Sequence, residues 1–71
     1  MPKSWIDEKE RILAGIADYI TRLSNLDIIP FALIDELETI EKALQTANER
    51  EFIDERYIDW WDSMQQRINV V

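Results

Sequence analysis

Three times in 71 residues an Ile-Asp-Glu triplet follows a large apolar residue, at Trp5-Ile6-Asp7-Glu8, Leu33-Ile34-Asp35-Glu36 and Phe52-Ile53-Asp54-Glu55. Each opens or closely follows an apolar pattern of helical period. The triplets are therefore read as gathering acids near helix N-termini, where the positive end of the macrodipole favours them. The chain is expected to be all-α: a small three-helix unit with helices at approximately 4–24, 28–47 and 54–68. The first two form a hairpin and the third closes it.

Ser4 has the chemistry to cap the first helix, because its hydroxyl can accept from the amide three residues on. Ile6, Leu13, Ile16, Ile20 and Leu23 then recur at helical spacing, with Trp5, Ile12, Tyr19 and Leu26 in a neighbouring row. Together they form an apolar arc of roughly 180°, wide enough for two neighbouring helices. Gly15, the single glycine, is assigned to the opposite, polar face, where it costs about 1 kcal/mol relative to alanine for no evident purpose.

Ser24-Asn25-Leu26-Asp27 supplies turn chemistry. Pro30 suits the first turn of the second helix, with Asp27 or a residue just after it as the cap. Leu33, Leu37, Ile40, Leu44 and Ala47 are spaced four, three, four and three, a narrow seam suited to packing on one antiparallel neighbour. Phe31 and Ile34 lie off that seam and either cover the loop end of the bundle or face a partner. Asn48 can end the second helix and Asp54 cap the third. The absence of glycine and proline between residues 45 and 55 also allows one continuous helix. Asn69-Val70-Val71 reads as a frayed end.

With no histidine and no cysteine, the chain lacks the commonest metal ligand, the thiol nucleophile and the disulfide. No glycine-rich phosphate loop is present, and Ser4, Ser24 and Ser63 are scattered. The expectation is a protein that is not an enzyme and carries no cofactor and no metal. No apolar run approaches the roughly 18–20 residues needed to span a bilayer, and no charged-then-apolar leader is visible; a cytoplasmic location is expected.

The net charge of −7 is uneven. Residues 1–26 balance, residues 27–47 carry five acids against Lys42, and residues 48–71 carry six acids against Arg50, Arg56 and Arg67. Such a chain repels phosphate backbones and anionic membranes, so neither nucleic acid nor membrane is an expected direct partner; a basic protein is.

In the third helix Tyr57, Trp60, Trp61 and Met64 share one side with Ile58 at its flank, while Glu51, Glu55, Asp59 and Asp62 form an acidic ridge opposite. The aromatic face, with its acidic rim, is the candidate partner-binding site, and Trp61 is the indole expected to reach outward. The same residues also have a plain reading as core and solvated face. At 46% hydrophobic, the chain has more apolar side chain than a lone core of this size is expected to hide, which favours a homodimeric helical bundle. Three functions follow as expectations: an acidic adaptor or inhibitor that binds another protein, a structural homodimer, and a DNA mimic presenting the ridge to a nucleic-acid-binding protein.

Overall fold

The computed structural model describes residues 4–70 and is helical throughout its regular structure, with α1 at Trp5–Ser24, α2 at Phe31–Thr46, α3 at Glu49–Asp54 and α4 at Tyr57–Asn69. The expected three helices are thus four among the described residues. No helix among them is long and apolar enough to cross a membrane. Val71, placed with the frayed end, lies outside the described residues.

Ser4 caps α1 as its chemistry predicts, its Oγ accepting from the Asp7 amide at 3.2 Å. At the other end Asn25 closes the helix. Its backbone N–H donates to the Arg22 carbonyl and its Nδ2 to the Thr21 carbonyl at 2.9 Å. The connection then runs to Pro30, which stands at the N-cap of α2 instead of inside its first turn, and Asp27 caps nothing. The second helix therefore starts three residues later than expected. Its triplet acids, Asp35 and Glu36, fall beyond the first turn.

The seam of α2 is its inner face: Leu37, Leu44 and the following Ala47 are buried, and Leu33 and Ile40 are half-buried. They meet Ile12, Ile16 and Leu23 of α1 in one core. Lys9, early in α1, donates from Nζ to the carbonyls of Gln45 and Ala47 at 3.3 and 3.2 Å, which fixes the two helices antiparallel. Helix α1 packs against all three others, one neighbour more than its arc was expected to serve.

Ala47 is extended, with φ −70° and ψ 137°, so the chain is not helical from α2 into the third segment. Asn48, read as a possible terminator, instead starts α3. Its Oδ1 accepts from the Glu51 amide at 2.9 Å while Glu51 Oε1 accepts from the Asn48 amide at 3.4 Å, a reciprocal capping box. Asp54, read as the cap of the third helix, is the last residue of α3, so the third triplet lies at a helix C-terminus. Arg56 then adopts the left-handed conformation, φ 54° and ψ 48°, and α4 begins.

The topology explains this break. Aromatic contacts Trp5–Phe52 and Phe52–Tyr57, each with ring centroids 6.0 Å apart, put the start of α4 beside the start of α1. Tyr19–Trp61 at 5.4 Å then carries α4 along α1 in the same direction. Because α2 also ends beside the start of α1, the chain must reverse between α2 and α4 within that one end. The six-residue α3 is the corner that does so.

Candidate protein-interaction surfaces

Packing on α1 decides how much of the expected binding face is left over. Tyr57, Trp61 and Met64 are buried, Trp61 to 2% exposure, together with Ile68 of the same helix face. Trp61 does not reach outward, which corrects the expectation for that indole. It enters the side of α1 at Gly15, where a β-carbon would stand 2.9 Å from Cη2 and nearer still to Cζ2. Gly15 is one helical step of four residues from Tyr19, about 40° away on the wheel, and so borders the buried arc instead of opposing it. Its lack of a side chain is the notch that accepts the indole. Of the two neighbouring tryptophans it is Trp60 that stays half-exposed, 6.1 Å from Trp61 and packed against the core edge.

The acidic ridge is not one ridge. Glu51 belongs to α3 and is engaged in its capping box, Glu55 closes α3, and Asp59 and Asp62 belong to α4. All four are exposed. Asp59 Oδ2 accepts from Arg56 Nε at 3.1 Å, and Asp54 pairs with Arg50 at 3.5 Å. Among the described residues no group of three or more acidic side chains is placed to hold a metal ion. The Tyr57 hydroxyl has its pKa raised, first by burial of the ring and then by the negative charges of Glu55 and Glu51.

What remains apolar and open near this site is Ile53, 61% exposed, and Ile58. With Phe52, Arg56 and Asp59 they line an open groove of about 270 Å³ across the α3–α4 corner. Ile58 is thus the one apolar member of the expected aromatic face lining this groove. Tyr57, Trp61 and Met64 serve the core.

A second surface is larger and carries the more exposed apolar side chains. Ile28 and Phe31, at the α1–α2 connection, are 88% and 73% exposed. Phe31 borders an open groove of about 440 Å³ lined also by Ser24, Ile29, Ile34, Asp35 and Glu38. Of the two alternatives for Phe31 and Ile34, Phe31 is held out to solvent and Ile34 half-buried. The sequence signal was their position off the α2 seam; Ile28 gave none, because a loop residue has no periodicity to test. Asp27, Asp35 and Glu38 surround this corner, and none of the three forms an ion pair among the described residues. Glu38 and Lys42, four residues apart on α2, make no ion pair among the described residues. Asp18 does pair with Arg22, at 3.6 Å, whereas Arg11 pairs with Glu8 at 2.6 Å and not with Asp7.

Comparison with protein families, with curated proteins and with solved structures finds no match for this chain.

Proposed function

We propose that this protein is a non-enzymatic interaction module that binds another protein through the corner between α1 and α2. The observation that carries the reading is the solvent-held pair Ile28 and Phe31, beside a groove floored by Ile29 and Ile34 and edged by carboxylates. Large apolar side chains held mostly in water contribute little to the fold. An apolar centre with a polar rim is the ordinary anatomy of a protein interface. The α3–α4 groove with Ile53 and Ile58 is the smaller surface of the same kind, and most of the aromatic face above it is spent on the core.

A second copy of the chain suits the corner less well than a different protein does. A two-fold contact lays the same patch on itself, so Asp27, Asp35 and Glu38 would meet their own equivalents without a cation between them. The broken ridge on α3 and α4 lends no support to DNA mimicry, which needs a continuous line of negative charge.

The test compares the wild-type chain with Ile28→Asp/Phe31→Asp in capture from an extract of the native host, with mass in solution measured for both. Both positions are exposed, so the variant is expected to keep the thermal melt of the parent and lose the captured partner. Retention of every partner by a folded variant overturns the assignment of this surface. A wild-type dimer that the variant converts to monomer assigns the corner to self-association instead.

A further inference from the structure

Resting on that reading of the α1–α2 corner, we infer that its occupant is a basic amphipathic helix laid along α2. Phe31, Ile34, Asp35 and Glu38 follow one another at steps of three, one and three residues. They therefore form one stripe along the helix, within an arc of about 100°. The stripe is graded: Phe31 and Ile34 occupy its N-terminal end, with Ile29 beside them, and Asp35 and Glu38 its C-terminal end. The two carboxylates are one turn apart on the same side of α2, and neither forms an ion pair among the described residues.

A partner that satisfies this stripe must place apolar side chains over Phe31 and Ile34 and, one to two turns further on, two cations separated by a helical turn. A helix carrying Leu or Ile followed by Lys or Arg at i,i+3 or i,i+4 meets both demands, because its side chains repeat with the same pitch as the surface they cover. An extended strand alternates its side chains across two faces and would match only one end. The charge of residues 27–47, five acids against Lys42, draws a cationic segment towards the groove before contact. It equally disfavours a second copy of this acidic chain.

The probe is a synthetic helical peptide of about 15 residues, the length at which an alanine-rich helix becomes stable enough to test. It carries two leucines one turn apart and then two lysines one turn apart; a control peptide has glutamines in place of the lysines. Amide shifts of the isotope-labelled full chain are followed during titration at low and at raised salt. The lysine peptide is expected to shift resonances across residues 28–38. It should bind Asp35→Asn/Glu38→Gln about tenfold more weakly, and lose affinity with salt, whereas the glutamine peptide should show little salt dependence and weaker binding. Phe31→Asp is expected to abolish both. Equal binding of the two peptides, or shifts centred on Ile53 and Ile58, overturns the proposal. Shifts at residues 28–38 that depend on protein concentration without peptide make a second copy the occupant and also overturn it. If neither peptide binds while Ile28→Asp/Phe31→Asp still loses its native partner, the helical occupant is wrong and the corner remains the binding surface; if that variant keeps its partner as well, both readings fall.

Discussion

Gly15 and Trp61 compete for one volume: the indole of α4 occupies the space that a β-carbon on residue 15 of α1 would need, with Cη2 only 2.9 Å from that position and Cζ2 closer. Two effects of Gly15→Ala oppose each other. Alanine gains about 1 kcal/mol of helix propensity over glycine, while overpacking a filled core costs about 1–3 kcal/mol. Trp61 is 2% exposed and flanked by Tyr19 and Trp60, so it has no free direction in which to retreat. Overpacking should win, and urea unfolding should show Gly15→Ala to be less stable than the parent by about 1 kcal/mol. Gly15→Ala made in a Trp61→Phe background should lose most of that penalty. A stabilising Gly15→Ala in the parent would mean that the indole does not lie in the notch.

Lys9 sits in the middle of the apolar arc of α1, where Trp5 precedes it by four residues and Ile12 and Leu13 follow by three and four. It is half-buried there, with its Nζ 5.4 Å from the Trp5 ring centre and at the carbonyls of Gln45 and Ala47. It therefore closes the C-terminal end of α2, which has no glycine cap of its own, from a different helix. Lys9→Met preserves the stem and removes the donor; a loss of about 1–2 kcal/mol is expected, towards the low end for hydrogen bonds involving a charged group (about 1.5–3 kcal/mol) because both bonds are long and neither is fully buried. Lys9→Arg should recover part of it. An unchanged denaturation midpoint for Lys9→Met would show that the capping bonds contribute nothing.

Asn48 and Glu51 make the only reciprocal cap among the four described helices, and they do so on a helix of a single turn and a half. Nucleating so short a helix is unfavourable without tertiary help. Asn48→Ala removes the side-chain acceptor and should cost about 1 kcal/mol, whereas Asn48→Asp should be close to neutral. Faster amide exchange confined to residues 49–54 is the expected local signature in Asn48→Ala. Uniform exchange across all helices would indicate that α3 has no separate opening.

What could be read from the sequence divides along a physical line. The seam of α2 was legible because its four-three-four-three spacing is a property of the helix alone, and Ser4 because a cap is local chemistry. The turn at residues 24–27 was legible for the same reason. The corner at Glu55-Arg56 was not: it contains no glycine or proline, and the left-handed residue is imposed by the need to bring α4 back alongside α1. Asn48-x-x-Glu51 is a readable capping box, but Asn48 is equally compatible with a helix end, since asparagine serves both ends of helices. Trp61 shows the limit of angular reasoning within one helix. Its outward bearing from Tyr57 and Ile58 pointed to a partner, and the partner is the flank of α1 at Gly15. The exposed corner at Ile28 and Phe31 was half visible, in the position of Phe31 off the seam.

Arg56 holds the left-handed conformation, with its N–H donating to the Ile53 carbonyl at 3.1 Å and its own carbonyl accepting from Trp60 at 3.0 Å. Residues with a β-carbon are disfavoured in that conformation by roughly 1–2 kcal/mol. Among the described residues its side chain makes only the pair with Asp59, and both partners are largely exposed, a kind of contact worth little in water. Arg56→Gly is therefore expected to stabilise by about 0.5–1 kcal/mol, after the greater entropy of glycine in the unfolded chain is deducted. Arg56→Ala should gain nothing, because it keeps the strained β-carbon. If the glycine variant melts below the alanine variant, residue 56 is not left-handed in solution, and α3 and α4 join there as one helix.

Tyr57 offers a test by pH that reports on the same corner. Its pKa is raised above the ordinary value of 10.0, first through burial and then through the charges of Glu55 and Glu51. The folded state therefore holds the phenolic proton more tightly than the unfolded state does. Stability from this group is intact below the unfolded pKa and declines as pH climbs from about 10 through the folded value. The hydroxyl has no hydrogen-bond partner among the described residues and is not sealed from water, so Tyr57→Phe should change stability at neutral pH by less than about 0.5 kcal/mol. Urea midpoints measured at intervals from pH 8 upward should fall less steeply in Tyr57→Phe than in the parent, and the difference should shrink in Glu51→Gln/Glu55→Gln. Parallel curves for the parent and Tyr57→Phe would mean that the ring is as hydrated in the folded chain as in the unfolded one, and that Phe52 and Tyr57 do not pack the start of α4 onto α1.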